Sequence, residues 1–190
     1  MKPRDDKKIK QVFAATLALV AKNGLAGITM SEIAKESNIA TGTLYIYFKN
    51  KTELINSLFT ACRNASAAVY FKNFDPDMPF KTGLKTIWLN LLNYRIKNFK
   101  AALFVDQCFH SPFITQTTKE LTKKLFAPLF SLMENGKKQQ LIKDADTLLL
   151  LTFMAGSINE TVKYAHYSNK KLNKETIDKM FGMCWDGLKA

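Results

Sequence analysis

The chain is 190 residues long and 47% apolar, enough to bury a substantial core as one domain or as a small domain joined to a larger one. Its net charge of +12 and pI near 9.6 favour an anionic partner, nucleic acid first, and its three cysteines, Cys62, Cys108 and Cys184, stand in no CxxC or Cys/His spacing, which excludes a disulfide framework and a sequence-encoded zinc site. The basic excess is not concentrated: residues 1–53 hold nine Lys/Arg against five Asp/Glu, and the remainder nineteen against eleven. Charged residues 1–10 lack the character of a signal peptide, and the longest apolar run, 148–155, is far too short for a membrane span. The expectation is a reduced, soluble, cytoplasmic protein with no membrane partner.

Ile9, Val12, Phe13, Thr16, Leu17 and Val20 recur on one face of a first helix, stopped by Asn23-Gly24. Thr29 and Glu32 have the spacing of a capping box and open a second helix with Ile33 and Ala34 facing inward. A third spans roughly 41–48, and Asn50 with Glu53 makes another capping box, opening a long helix through Leu54, Leu58, Phe59 and Cys62. Residues 74–79, with two prolines and two aspartates, are the clearest break. Helices are predicted over about 81–98, 99–110 and 114–135, the last closed by Gly136 and kinked or split at Pro128. The final pair spans 144–167 and 174–189, with Ile177, Met180, Phe181, Cys184, Trp185 and Leu188 on one face of the last. The fold class is all-α. It comprises an N-terminal three-helix helix-turn-helix domain, 1–53, linked by a long helix to a larger helical domain, 54–190.

Residues 29–51 read as two short helices joined by a tight turn, the layout that places a second helix in the DNA major groove. Such a helix needs one apolar face to dock on its own domain, here Ile39, Leu44 and Phe48, and another that is small or polar, here Thr41, Gly42, Thr43 and Tyr45. Threonines offer hydroxyls to phosphates and methyls to thymines, Tyr45 and Tyr47 offer phenolic hydroxyls, and Lys51 starts the next helix, where an ammonium and a helix N-terminus can clamp one phosphate. Asn38 stands in the turn, where asparagine tolerates the left-handed conformation better than other non-glycine residues, and Ala40 cannot cap the third helix, a loss of about 1 kcal/mol unless Thr41 takes over.

Residues 9–58 resemble the N-terminal domain of the TetR family of transcriptional regulators, through Thr29, Ile33-Ala34, Gly42-Thr43-Leu44-Tyr45, Tyr47-Phe48 and Lys51. The resemblance implies that Thr43, Tyr47 and Lys51 hold the DNA backbone, that Thr41, Gly42 and Tyr45 face bases, and that Ser31 adds a contact from the second helix. It also implies a larger domain that binds an effector and forms a homodimer through the last two long helices, which agrees with how apolar those helices are and with Ala155-Gly156-Ser157. Candidate pocket residues are Trp88, Tyr94, Phe104, Cys108, Phe109, Phe126, Phe130 and Met154, a set suited to an apolar or aromatic effector. Most aromatics at helical spacing are core, so the set is expected to hold pocket residues as a group.

His110 and His166 have no sequence partners for catalysis, and the chain lacks a Gly-rich phosphate loop, metal-ligand cluster or nucleophile motif. No cofactor and no enzyme activity are expected. The favoured function is a ligand-responsive regulator, a repressor on a near-palindromic double-stranded DNA operator released by a small molecule. The alternatives are a non-specific architectural DNA binder and a small-molecule-binding helical protein without a DNA role.

Overall fold

The computed structural model describes residues 6–109 and 111–190; His110 lies outside them. Ten helices follow in order: α1 Asp6–Asn23, α2 Met30–Glu36, α3 Thr41–Tyr47, α4 Lys51–Tyr70, α5 Phe80–Lys97, α6 Phe99–Phe109, α7 Gln116–Leu125, α8 Ala127–Lys138, α9 Thr147–Tyr167 and α10 Lys174–Leu188. Among the described residues no strand occurs, only an isolated bridge between Ile142 and Lys189. None of these helices is long and apolar enough to cross a membrane.

Helix ends follow the local chemistry. Gly24, at φ 74°, ends α1 in the left-handed conformation that a Cβ disfavours. Both halves of the Thr29–Glu32 capping box form at α2. At α4 the second box is only half made: Glu53 N–H donates to Asn50 Oδ1 at 2.9 Å, but the Glu53 carboxylate accepts from the N–H of Lys49, one residue earlier than expected. Pro128 splits the 114–135 pattern in two; it lies in the first turn of α8, where its missing N–H has no intrahelical role.

Gly136 does not close its helix. α8 runs on to Lys138, and Gln140 takes the left-handed turn at φ 56°, with Gln140 N–H donating to Lys137 O and Leu141 N–H to Gly136 O. This is a Schellman closure with glutamine at the position usually held by glycine. Gly136 is instead buried where a Cβ would fall 2.4 Å from the Phe80 ring, so its role is close packing.

The chain forms two compact units, Met1–Ala65 with Asn98–Thr122, and Ser66–Lys97 with Lys123–Ala190. The first unit buries Val12 and Val20 of α1, Ile33 of α2, Leu44 of α3 and Leu54, Ile55 and Leu58 of α4 in one core. Phe104, Val105 and Cys108 of α6 complete it. The Leu25 N–H donates to Gln107 Oε1 at 2.7 Å, tying α6 to the turn after α1. Asn56 of α4 grips the loop after α6 from both sides, its Nδ2 donating to Phe113 O and its Oδ1 accepting from Thr115 N–H.

The second unit is built on Leu84, Ile87, Trp88 and Leu92 of α5, packed with Met133 of α8, Met154 and Ile158 of α9, and Phe181, Cys184 and Leu188 of α10. Each such fully buried side chain stabilises by about 1.5–3 kcal/mol. Of the predicted α10 face, Met180, Phe181, Cys184 and Leu188 are buried, while Ile177 and Trp185 are half-buried.

Candidate nucleic-acid interface

α2 and α3 are seven residues each, too short to persist alone. Tertiary anchors hold them. Ile33 and Leu44 are both 0% exposed, and Phe48, the residue that ends α3, is 3% exposed. The turn between them is a second Schellman closure: Asn38 N–H donates to Lys35 O and Ile39 N–H to Ala34 O, with Asn38 at φ 54°. Asparagine therefore serves where glycine would be the default. Ala40 precedes α3 without any side-chain cap, and Thr41 does not substitute for it.

At 100° per residue, Leu44 fixes which side of α3 faces inward. Gly42 and Ile46 then lie about 160° and about 200° round from it, on the side opposite the anchor, with Tyr45 and Thr43 on the two flanks. Exposure follows this geometry. Ile46 is 83% exposed and Tyr45 49%, Thr41 and Gly42 are exposed, and Thr43 is half-buried. A Cβ built at Gly42 meets nothing within 4 Å. Tyr47 is half-buried and its ring packs against the core, while Ser31 is exposed on the first turn of α2.

Lys51 is more engaged than its sequence position suggests. Its Nζ donates to Ile28 O at 2.7 Å and to Ala26 O at 3.2 Å, closing the loop between α1 and α2. The ammonium also lies 5.0 Å from the centre of the Phe113 ring. Burial holds its pKa below the ordinary lysine value, with Glu32 acting in the opposite sense. Three N–H donors are available on an ammonium, so two used on carbonyls leave one for an external acceptor.

Sequence reasoning overlooked Ile46. An isoleucine in a short apolar run reads as core, and only its angle relative to Leu44 shows that it points outward.

The eight pocket candidates divide between the units. Phe104 and Cys108 are fully buried in the core of the first, and Phe109, 52% exposed, stacks edge-on against Phe59 there. Trp88, Tyr94, Phe126, Phe130 and Met154 lie in the second. Trp88 is fully buried edge-on against Phe181, while Tyr94 and Phe126 both meet Tyr70, at 5.6 and 5.8 Å between ring centres. Phe130 is half-buried. His166 is exposed near the end of α9. All three cysteines are buried free thiols; burial pushes Cys62 up to about 11 and Cys108 up to about 12. No group of three or more His, Cys, Asp or Glu able to hold a metal occurs among the described residues.

Comparison with known proteins agrees with this geometry. Residues 12–58 match the bacterial regulatory proteins of the tetR family, and residues 79–189 match the tetracyclin repressor-like C-terminal domain. An uncharacterised helix-turn-helix transcriptional regulator of Haemophilus influenzae is 37% identical over 89 residues. That alignment covers 47% of this chain and spans about half, 48%, of the relative's length. The crystal structure of a TetR family transcription regulator from Marinobacter aquaeolei superposes with a TM-score of 0.88 at 26% identity, covering 100% of this chain and 99% of that one. A Bacillus subtilis transcriptional regulator crystallised with stearoyl-CoA shares the fold at a TM-score of 0.69 and 18% identity, over 94% of this chain and 98% of its own. With more than half of the chain matched by the C-terminal domain and the helix-turn-helix matched separately, this protein belongs to the TetR family of helix-turn-helix transcriptional regulators.

Proposed function

We propose that the protein is a ligand-responsive repressor that binds a near-palindromic operator as a homodimer and leaves it when a small molecule binds. The observation that carries this reading is α3, a helix anchored by Leu44 with Gly42, Tyr45 and Ile46 turned to solvent. Thr41, Gly42 and Tyr45 face base edges in this reading, Thr43, Tyr47 and Lys51 hold phosphates, and Ser31 adds a contact from α2. Residues 1–53 act as the DNA-binding domain and 54–190 as the effector and dimerisation domain.

Dimerisation through α9 and α10 is supported by large apolar side chains left open to solvent there: Leu148, Leu149, Phe153, Tyr164 and Tyr167 on α9 and Met183 on α10. Burial of these side chains against a second copy would remove their apolar surface from water. Two copies related by a two-fold axis would present α3 to successive major grooves about 34–36 Å apart. An apolar or aromatic effector suits the aromatic side chains of Trp88, Tyr94, Phe126 and Phe130. It would lower DNA affinity by the ratio of its affinities for the two dimer states.

Footprinting and gel shift with genomic fragments test the reading. A protected near-palindrome at physiological salt is expected, with Thr43→Ala plus Lys51→Ala removing it. Binding without sequence selectivity, with a steep salt dependence, would favour an architectural role instead.

A further inference from the structure

The geometry points to Ile46 as a specificity-determining residue, reading the 5-methyl group of a thymine in each operator half-site. The inference rests on the DNA-binding reading above and names the chemistry of one contact within it.

Ile46 is 83% exposed, the most exposed large apolar side chain among the described residues. It adds nothing to its own core, because Leu44 and Phe48 anchor α3 from the other side. A leucine- or isoleucine-sized side chain left in water forgoes the stabilisation that burial would give, so a use outside the chain is the physical question. Its position answers part of it. Ile46 shares the outward side with Gly42, four residues earlier. A Cβ at Gly42 would meet nothing within 4 Å, so the outward side of α3 is open at that position. The flanks carry hydroxyls, Tyr45 on one side and Thr43 on the other.

The major groove supplies the rest of the argument. Its edges carry mostly hydrogen-bond donors and acceptors, and the largest apolar group among them is the C5-methyl of thymine. Isoleucine has no donor or acceptor beyond its backbone, so among the base edges it gains most from that methyl. Opposite guanine, adenine or cytosine it would strip water from a polar edge without replacing it.

The test uses the full-length chain and a duplex selected from a random library for tight binding. Each thymine in a half-site is replaced in turn by deoxyuridine, which removes the 5-methyl and nothing else, and affinity is read by fluorescence anisotropy. One thymine at the same place in each half-site is expected to matter. Its replacement should weaken wild-type binding about fourfold in one half-site and about fifteenfold in both, the factor that one buried methyl gives. Ile46→Ala should bind more weakly than the wild type and bind the thymine and deoxyuridine duplexes equally. The variant should fold normally, since the side chain is exposed and alanine favours a helix. Discrimination that survives in Ile46→Ala, or is lost only in Thr43→Ser, would overturn the inference while leaving the repressor reading standing. So would a selected operator with no deoxyuridine-sensitive thymine. A selection that enriches no sequence would remove the repressor reading, and the inference with it.

Discussion

Replacing Lys51 by methionine keeps the aliphatic stem and removes the ammonium, which separates two roles this side chain can fill. Inside the chain the ammonium donates to Ile28 O and Ala26 O and lies over Phe113. A buried hydrogen bond from a charged donor contributes about 1.5–3 kcal/mol. Lys51 is half-buried, so screening reduces the pair to about 1.5 kcal/mol together. For a chain of this length that lowers the melting temperature by about 3–6 °C. Outside the chain, the remaining N–H is available to a phosphate, and losing that contact should reduce the salt slope of operator binding by about 0.9 per copy. Urea denaturation reads the first effect and affinity measured across a salt series reads the second. An unmoved urea midpoint would refute the carbonyl latch. A fall in affinity with an unchanged salt slope would refute the phosphate contact and leave Lys51 acting only by shaping the loop before α2.

Other outcomes follow from described packing and titration. Gly136→Ala should destabilise the protein, because a Cβ 2.4 Å from the Phe80 ring forces a shift costing about 1–3 kcal/mol, more than the about 1 kcal/mol that alanine's helix propensity returns; calorimetry showing a higher melting temperature would contradict it. Thr29→Ala should cost about 1 kcal/mol at pH 7. Hydrogen bonds from Thr29 hold the Glu32 carboxyl below its ordinary pKa, so that part of the stability is complete above about pH 4.3 and lost as pH falls through the lower folded value. The gap between Thr29→Ala and wild-type urea midpoints should therefore narrow on acidification. Finally, Cys62 and Cys108, pushed up to about 11 and about 12 by burial, should react negligibly with a thiol reagent at pH 8 in the native protein, and promptly once urea unfolds it. Fast native labelling would show that this core opens.

What could be read in the sequence was local. The Thr29–Glu32 box, the left-handed Asn38 and the break at residues 74–79 depend on neighbours within a few positions, and each is present. What was hidden depended on distance along the chain. Phe104 and Cys108 sit at helical spacing whichever core they fill, and nothing local to α6 says that this core is shared with α1 and α4. Lys51 meets carbonyls 23 and 25 residues away, and Gly136 is explained only by a ring on α5. Ile46 is an intermediate case: its outward direction follows from one angle, but an apolar residue at that angle contradicts the expectation that exposed positions are polar.

The division of the first unit between two stretches of chain constrains how such a protein can be recombined. A single crossover within α4 keeps the first stretch of the first unit and exchanges everything that follows it. It gives the first unit a foreign α6, replacing Gln107, the partner of the Leu25 N–H, and the Phe104, Val105 and Cys108 side chains of its own core. A hybrid that keeps the first unit intact must carry residues 98–122 along with it. The module that can be transplanted is therefore discontinuous, and swaps made at one junction should lose stability in the half that was meant to be preserved.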